Sequence, residues 1–246
     1  MFISSYNEDE ITRGNKLVYL SVLTISSIIQ AAYKNPKWDA YLFTLTWPPT
    51  FCSSYNVTLP LNFTDFTIHG LWPIILPNIT VNCTGTEKFN ISLLQGLRPR
   101  LDVEWPSLKN LSRTESLWRH EFEKHGLCAV EDPKIGNQVG YFNTSLQLRA
   151  KTDLLNTLKR YNITPSNVTE YNKTVFQEVM KKAYGSPVHL SCRQNRGKGS
   201  PKNHSLEEVR FCLNRSFAHI PCPNEGKCPE RFYFPPFPKH RVIYLL

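Results

Sequence analysis

Residues 66–73 read FTIHGLWP, and this segment anchors the predicted fold. It opens with aromatic and β-branched residues, which are typical of strands, and it ends in a proline. The glycine after His69 permits a bend at the end of the strand. The sequence therefore predicts a strand over residues 66–69 that delivers an imidazole to a bend, with the indole of Trp72 just beyond it.

A second segment, WRHEFEKHGLC at residues 118–128, lies on a predicted helix. Ser112 and Glu115 have the spacing of a capping box, in which each side chain accepts a hydrogen bond from the backbone of the other residue. Gly126 is typical of a helix end. The pattern predicts a helix over residues 113–125.

Residues four apart share one face of a helix, so Glu121 is predicted beside His125, and His120 beside Lys124. An imidazole, an ammonium and a carboxylate suit a phosphoryl transition state, because histidine transfers protons near neutral pH and lysine balances charge on phosphate oxygens. The HExxH metalloprotease motif does not fit, since His120 and His125 are five apart and about 140° apart around an α-helix. The alternative is that these residues form an exposed, charged helical turn that has no catalytic role.

Four further histidines have no such neighbours in the sequence and are predicted to be surface or packing residues. They are His189, His204, His219 and His240.

The remaining elements follow in the order strands, helices, strands, which predicts an α+β fold with an antiparallel sheet. The last helix has a cap at Thr174 and Gln177 and ends at Gly185. No linker or repeat divides the chain, so residues 33–246 are expected to form a single domain. Strands are expected at residues 41–46, 188–192 and 209–213, and a further helix at residues 144–161.

The 246 residues carry 29 Lys and Arg against 20 Asp and Glu, a formal charge of +9 that favours polyanionic partners. With 41% hydrophobic and 20% charged residues, disorder along the whole chain is not expected. A basic segment at residues 193–204 is either a mobile surface loop or a contact for an RNA backbone or a sulfated glycan.

Residues 17–32 form an apolar stretch that follows Arg13 and Lys16 and ends in two alanines, the second of which is Ala32. A basic flank, an apolar core and a small-residue exit are the parts of a secretory signal peptide, so cleavage is predicted near Ala32 and residues 1–32 are the leader. Three acidic and two basic residues leave with it, which changes the charge from +9 to +10. A later start codon or an uncleaved anchor is the alternative.

Twelve Asn-x-Ser/Thr sequons follow the leader. Such sequons are glycosylated only in the secretory lumen, and chance explains any one of them but not the set, so the sequons predict export. The asparagines predicted to carry glycans are Asn56, Asn62, Asn78, Asn82, Asn90, Asn110, Asn143, Asn162, Asn167, Asn172, Asn203 and Asn214.

Seven cysteines also follow the leader, and in an oxidising lumen six of them are expected to pair. The spacing alone leaves the pairing open. A zinc site is not expected, because the sequence has no C-x-x-C pair. The cysteines are Cys52, Cys83, Cys128, Cys192, Cys212, Cys222 and Cys228.

The two histidine segments, FTIHGLWP and WRHEFEKHGLC, resemble the active-site segments of the T2 ribonuclease family. The sequences TLTWP, EWP and FYFP, at residues 44–48, 104–106 and 232–235, resemble further landmarks of that family. The resemblance spans residues 41–236, nearly the whole mature chain. It implies an RNase T2-like fold, in which a central antiparallel sheet is accompanied by several helices and braced by disulfides.

The resemblance also implies a reaction: cleavage of single-stranded RNA without a metal or a cofactor. The 2′-hydroxyl attacks the adjacent phosphorus and gives a 2′,3′-cyclic phosphate, which water opens to a 3′-phosphate. By the resemblance, His125 is the general base and His69 the general acid, with the roles reversed in the second step. Glu121 and Lys124 stabilise the pentacovalent phosphorane.

Two substrate-binding residues are implied in the same way. His120 helps to hold the phosphate, and Trp72 stacks on a base, as aromatic residues do in other single-strand binders. DNA lacks the 2′-hydroxyl and is expected to be inert. Ile74 stands where many relatives have an acidic residue that reads the base edge, so no base preference is assigned.

The family pattern leaves Cys52 as the odd thiol, because the other half of its bridge is absent from residues 53–60. This thiol is either free or used for an intermolecular bond, so a monomer is expected, with a disulfide dimer as the alternative. The implied disulfides are Cys83 with Cys128, Cys192 with Cys228, and Cys212 with Cys222.

RNA is the expected partner, and N-glycans add glycan-binding receptors as further partners. The predicted location is the extracellular space or the lumen of an acidic endolysosomal compartment, with no stable membrane association once the leader is removed. The alternative function is a secreted effector glycoprotein, in which the RNase fold is a scaffold for receptor or glycan binding. A third hypothesis, a heparin-binding structural protein, rests only on the positive net charge of the chain.

Overall fold

The predicted leader and most of the basic segment at residues 193–204 lie outside the residues that the structure describes, as do Asn62, Asn78 and Asn82. All described residues belong to one unit, which begins at Lys37. The computed structural model describes residues 37–59, 63–77, 79–81, 83–194 and 203–238.

Seven strands within this part of the chain form one sheet. They are β1 (Ala40–Thr46), β2 (Thr67–Ile75), β3 (Ile79–Thr80), β4 (Ser166–Asn172), β5 (His189–Gln194), β6 (His204–Asn214) and β7 (Arg231–Phe234). The order across the sheet is β3-β2-β1-β6-β7-β4, and β5 also pairs with β6. Neighbours run antiparallel except β6 and β7, which meet in parallel at Ser205 and Tyr233. The predicted α+β fold with a central antiparallel sheet is confirmed.

Most of the helices lie between the two groups of strands, as predicted. The single helix predicted over residues 144–161 is wrong: two helices occupy this region, because Asp153 between them has a φ of 25° and interrupts the α-helical conformation. The helices are α1 (Pro48–Tyr55), α2 (Arg98–Glu104), α3 (Thr114–Glu121), α4 (Leu127–Ala129), α5 (Gln138–Thr152), α6 (Leu154–Arg160) and α7 (Lys173–Tyr184). Short 3-10 turns cover Ile91–Leu94 and Leu111–Arg113, and a π-helical turn covers Phe122–Gly126.

β1 lies between β2 and β6, and all seven of its residues are buried. Successive side chains of a strand point to opposite faces. Tyr41, Phe43 and Leu45 enter the main core with the helices, whereas Ala40 and Leu42 enter a smaller cluster on the other face. Because β1 is covered on both faces, it holds β2 and β6 in fixed positions on either side.

The last helix, α7, ends as predicted but begins differently. Gly185 follows it with a φ of 80°, a conformation that favours glycine. The cap at Thr174 is wrong: the side chain of Asn172 accepts a hydrogen bond from the backbone N–H of Val175. Asn172 occupies the N-cap position, from which a side-chain oxygen reaches the third helical residue.

The three disulfides implied by the resemblance are present, and Cys52 is unpaired. The Cys52 side chain is buried in a cluster with Phe63 and Leu108. Burial raises the pKa of its thiol to about 11, which leaves little reactive thiolate. A thiol enclosed in this way does not reach a second chain, so the structure argues against the disulfide dimer through Cys52.

The disulfides differ in the length of chain that they enclose. The Cys83–Cys128 bridge joins residues 45 positions apart, and the Cys212–Cys222 bridge joins residues 10 positions apart. Bridges restrict the unfolded chain more when the loop is longer, and each typically contributes about 2–4 kcal/mol. We expect Cys83→Ala/Cys128→Ala to lower the free energy of unfolding by about 1 kcal/mol more than Cys212→Ala/Cys222→Ala. Urea unfolding followed by tryptophan fluorescence measures both, and a larger loss for the short loop would contradict this account.

Candidate active site

The prediction that the strand ends in a bend at Gly70 is wrong. β2 continues through Gly70 to Ile75 and carries a β-bulge at His69. Against β1, Gly70 lies opposite Thr44, whereas Ile68 lies opposite Leu45, so His69 is an extra residue without a partner in the register. Such a bulge re-aims a side chain and increases the local twist. The imidazole of His69 therefore leaves the regular alternation of the strand and stays partly exposed, with 37% of its side-chain surface accessible.

Gly70 is needed for a close approach rather than for a turn. A side-chain carbon at this position would collide with the indole nitrogen of Trp72 and with a carboxylate oxygen of Glu121. Those two groups are hydrogen-bonded to each other: Trp72 Nε1 donates to Glu121 Oε2 at 2.7 Å. The missing side chain of Gly70 thus makes room for the contact that joins β2 to α3.

The prediction that the helical segment with the second motif ends at Gly126 is wrong, because the helical backbone continues through Gly126 into α4. A π-helical turn follows α3, in which the N–H of Leu127 donates to the carbonyl of Phe122, five residues earlier. Gly126 has ordinary helical dihedral angles, φ −62° and ψ −38°. The ring of Phe122 lies so close to Gly126 that an added side-chain carbon would collide with it. The glycine is explained by this packing and not by a helix end.

The predicted capping box at the start of this helix is also wrong. Arg113 is the N-cap residue of α3, and its side chain makes no capping hydrogen bond. Glu115 instead pairs with Arg98, at 2.5 Å between Nη1 and Oε1. The side chain of Asn110 accepts a hydrogen bond from the N–H of Ser112 and so caps the preceding 3-10 turn.

The helix and the π-turn divide the four motif residues into a buried pair and an exposed pair. Glu121 and His125 are 2% and 4% exposed, whereas His120 and Lys124 face solvent. This division follows the two pairs expected from residues four apart. The buried pair belongs to the interior of the site, and the exposed pair lies at its surface.

The ring of Trp72 brings the two motifs together. Its centre lies 5.0 Å from the ring of His69 and 5.3 Å from the ring of His125. Nε2 of His69 is 3.9 Å from Oε1 of Glu121. The charge of Lys124 acts on both Glu121 and His125. Residues from β2, α3 and the π-turn, about 50 positions apart in sequence, therefore form one cluster.

Three residues outside the two motifs hold His69 in place. Glu208 on β6 lies with Oε1 2.6 Å from Nδ1 of His69, and Arg210 pairs with the same carboxylate. Trp105 donates from Nε1 to the carbonyl of His69 at 2.9 Å. Sequence reasoning missed the roles of these residues; two glutamates beside a predicted apolar strand, at residues 207 and 208, were the available signal.

The two histidines of the site have opposite pKa shifts. Burial disfavours the charged form of His69, but the hydrogen bond and charge of Glu208, with the charge of Glu121, outweigh it and raise the pKa of His69 above its ordinary value. Burial lowers the pKa of His125 to about 3, and nearby cationic groups, first among them Lys124, act in the same direction. The site therefore favours a charged His69 beside a neutral His125.

Other polar groups of the site follow the same physical rules. Burial raises the pKa of Glu121, although the charge of His69 and the hydrogen bond from Trp72 oppose it. Burial and the charge of Lys124 lower the pKa of His120. Nδ1 of His125 is buried and has no hydrogen-bond partner in the described part of the chain, so no acceptor stabilises an imidazolium there.

A cleft of about 510 Å³ opens beside His69. Apolar side chains and two cationic side chains line it, so it can enclose a flat, partly apolar group next to an anion. Its lining includes Thr46, Phe51, Leu108, Lys109, Arg113 and Leu117.

Of the remaining histidines, none in the described part of the chain belongs to this cluster. His219 packs against Tyr184 and Phe211, with ring centres 5.2 and 5.3 Å apart, so it is a packing residue as predicted. Burial and the charge of Arg210 lower the pKa of His189. His240 lies outside the described residues. Within the described ranges, no three His, Cys, Asp or Glu side chains are grouped so that they could hold a metal ion.

The site combines an imidazole that favours its charged form, one that favours its neutral form, a buried carboxylate and an exposed ammonium, the kinds of side chain that acid–base enzymes such as ribonucleases use. The family comparison agrees with this class. The chain belongs to the ribonuclease T2 family, whose model matches residues 38–222. It is therefore a T2-type endoribonuclease.

Individual relatives support the assignment. The chain is 31% identical to Ribonuclease Oy of Magallana gigas over 208 residues, which cover 81% of this chain and 97% of that protein. Its fold is similar to the crystal structure of human RNase T2, with a TM-score of 0.68 and 26% identity over 81% of this chain and 100% of that one. A structure of RNase NT in complex with 5′-AMP gives a TM-score of 0.69 and 27% identity over 82% of this chain and 100% of that one. These similarities do not favour the effector alternative.

The opposite pKa shifts predict two distinct histidine titrations. We expect the Cε1 proton of His69 to titrate above the pH of about 6.5 that is usual for histidine, and that of His125 far below it. At about pH 5, His69 is then protonated and His125 neutral. Proton–carbon NMR across a pH series, with the signals assigned from His69→Phe and His125→Phe, measures both. Coincident titrations near the ordinary value would contradict the asymmetry.

Proposed function

We propose that this T2-type ribonuclease cleaves single-stranded RNA without a metal ion, through a 2′,3′-cyclic phosphate. The observation that carries the proposal is the pair of histidines: His69 and His125 lie against the same Trp72 ring and favour opposite protonation states. A general acid must hold a proton before the reaction and a general base must lack one. Two groups whose environments separate their pKa values in this way suit those two roles.

In the first step, neutral His125 takes the proton of the 2′-hydroxyl as this oxygen forms a bond to phosphorus. The bond from phosphorus to the 5′-oxygen breaks, and His69 gives its proton to that leaving oxygen. Lys124 and His120 are exposed beside the buried pair, where they can contact the phosphate oxygens. Together with Glu121, Lys124 is proposed to stabilise the pentacovalent phosphorane.

In the second step, water opens the cyclic phosphate with the roles reversed. His69, now neutral, takes a proton from water as the oxygen of water bonds to phosphorus. The bond from phosphorus to the 2′-oxygen breaks, and His125 returns its proton to that oxygen. The product is a 3′-phosphate, and both histidines regain their starting states. DNA is not a substrate because it has no 2′-hydroxyl.

The cleft beside His69 is proposed to hold a nucleobase next to the reacting phosphate. Its volume of about 510 Å³ falls within the range of small-molecule pockets. Lys109 and Arg113 in its lining favour a ligand that carries phosphate. The similar RNase NT was crystallised with 5′-AMP. Trp72 is half-buried and is proposed as a second contact for a base.

We further propose that the chain is exported and glycosylated. Three disulfides fit an oxidising compartment. Nine of the sequon asparagines lie in the described residues, and none of these nine is buried: Asn56 and Asn167 are exposed and Asn143 is half-buried. No helix in the described part of the chain is both long and apolar enough to span a membrane. The disulfides and the accessible sequon asparagines support secretion or delivery to an endolysosomal lumen.

The mechanism predicts a loss of RNA cleavage in His125→Phe and no loss with EDTA. Removal of a general base is expected to lower the rate about 10²- to 10⁴-fold. His219→Phe is the matched control, because it makes the same change at a packing residue away from the cluster. The assay uses an oligonucleotide with one ribose at the cleavage site and its 2′-deoxy counterpart, which should stay intact. Loss of activity with EDTA, or an active His125→Phe, would overturn the mechanism.

The same acid–base pair predicts a bell-shaped pH profile for kcat/KM. The rate rises as the pH increases through the pKa of His125, about 3, because the base must lose its proton. It falls as the pH increases through the raised pKa of His69, because the acid must keep its proton. The maximum is therefore expected on the acidic side of neutrality. A monotonic increase into the alkaline range would contradict the assignment of roles.

Export predicts a mature protein that begins near Tyr33 and carries N-glycans. We expect glycosidase treatment to lower the mass of the secreted protein and to convert the occupied asparagines to aspartates, Asn56 and Asn167 among them. Mass spectrometry of the intact protein and of its peptides measures both features. An N-terminus at Met1 with an unchanged mass would contradict export.

A further inference from the structure

Two consecutive glutamates on β6, Glu207 and Glu208, are both buried and serve different partners. Their exposed fractions are 5% and 6%. In the pairing with β5, Ser191 lies opposite Glu208 and Cys192 opposite Leu206, so Glu207 is the extra residue of a bulge. Buried carboxylates need charged or hydrogen-bonded partners. The partners identify what each carboxylate does.

Glu207 and Glu208 each bind an arginine, but only Glu208 also binds a histidine. Both carboxylate oxygens of Glu207 accept from Nε of Arg193 at 3.0 Å. Glu208 accepts through Oε2 from Nε and Nη2 of Arg210, at 2.9 and 2.6 Å. Its other oxygen, Oε1, lies 2.6 Å from Nδ1 of His69. Glu208 therefore connects β6 directly to the bulged residue of β2.

The contact with Glu208 determines which nitrogen of His69 faces the reaction. An ionised carboxylate only accepts hydrogen bonds, so Nδ1 of His69 must carry a hydrogen in both protonation states of the ring. The proton that His69 gives and takes is then the one on Nε2. This nitrogen points toward Glu121, at 3.9 Å from Oε1, and so toward the side of the site where the second motif lies.

Arg210 holds the Glu208 carboxylate in the required position and state. Its guanidinium binds Oε2 and also lies over the ring of Trp72, 5.5 Å from the ring centre. Burial alone would raise the pKa of Glu208, but the hydrogen bonds and charges of His69 and Arg210 lower it to about 2. Glu208 is thus ionised throughout the pH range in which the enzyme is expected to work.

We propose that Glu208 is a positioning residue of the reaction: through Nδ1 it fixes the tautomer and the orientation of His69, while Arg210 holds Glu208 itself. The inference rests on the proposed role of His69 as the proton donor to the leaving oxygen. A carboxylate behind a histidine also stabilises the imidazolium, so that the ring keeps its proton until the transition state. Glu208 touches no reacting atom in this account and acts only through His69.

Several charged groups surround His69, and Glu208 differs from the others in its contact with the ring. Glu208 and Arg210 face the ring from β6, and Glu121 faces it from α3. His120 and His125 act on it from the second motif. Among these groups, only Glu208 accepts a hydrogen bond from the His69 ring, since the Glu121 oxygen is 3.9 Å away.

The test compares Glu208→Gln with Glu207→Gln. Both variants replace a buried carboxylate by an amide on the same strand, and only the first removes charge from His69. We expect Glu208→Gln to lower kcat about 10- to 100-fold with little change in KM, a smaller loss than that of removing the acid itself. The alkaline limb of its pH profile should move to lower pH, because His69 loses the charge that favours its proton. Glu207→Gln should keep the wild-type rate and profile.

Two further measurements keep the test decisive. Glu208→Asp retains the charge and should recover the position of the alkaline limb, even if the shorter side chain leaves kcat below that of the wild type. NMR titration of His69 should show a lower pKa in Glu208→Gln and not in Glu207→Gln, whether or not RNA is cleaved. Circular dichroism and thermal unfolding confirm that each variant is folded.

The outcomes separate this inference from the proposed function. An inactive wild type, or a fully active His69→Phe, would overturn the ribonuclease mechanism, while the NMR titration would still test the pairing of Glu208 with His69. An active wild type whose Glu208→Gln variant keeps the wild-type kcat, pH profile and His69 titration would overturn the positioning role alone. Equal losses in Glu207→Gln and Glu208→Gln, with no change at His69, would show a purely structural effect and overturn it as well.

Discussion

The arrangement of the site depends on the β-bulge at His69. In a regular strand, this residue would pair across the sheet, and its side chain would alternate with those of its neighbours. As the extra residue, it presents its carbonyl to Trp105 and its ring to Glu208 on β6 and Glu121 on α3. One irregular position on β2 thus receives contacts from three other parts of the fold, and Gly70 beside it leaves the space in which Trp72 and Glu121 meet.

The fold produces chemical asymmetry from two identical side chains. His69 is partly exposed and has carboxylates on two sides, so its charged form is favoured. His125 is buried among cationic neighbours and has no acceptor for Nδ1 in the described residues, so its neutral form is favoured. The carboxylates around His69 come from residues far away in the sequence, whereas His125 owes its environment to burial and to its neighbour Lys124. Each environment is a consequence of where β6, α3 and the π-turn place their charges around the sheet.

The sequence predicted the fold class and the pairing within the second motif, but not the helix caps or the long-range geometry of the site. The two pairs of neighbours in the second motif followed from helical spacing, and the glycine that ends α7 followed from backbone preference, because both depend on residues within a few positions. The bulge at His69 depends on how β2 is registered against β1, and the pairing with Glu208 joins residues 139 positions apart. Periodicity carries no information on such contacts. Gly126 was misread although its explanation is local, because the sequence does not distinguish a glycine that ends a helix from one that leaves room for a ring one turn away, here that of Phe122.

The π-turn at Phe122–Gly126 constrains the number of residues that this segment of the sequence can contain. Such a turn contains one residue more than a turn of α-helix, because its backbone hydrogen bond spans five residues and not four. Loss of one residue between Glu121 and His125 would rotate every following side chain by about 100° around the helix and turn the His125 imidazole away from the Trp72 indole. The length of this segment is therefore as much a requirement of the site as the side chains of Lys124 and His125 are. In an alignment of relatives, the absence of gaps here would carry as much information as the identity of the residues.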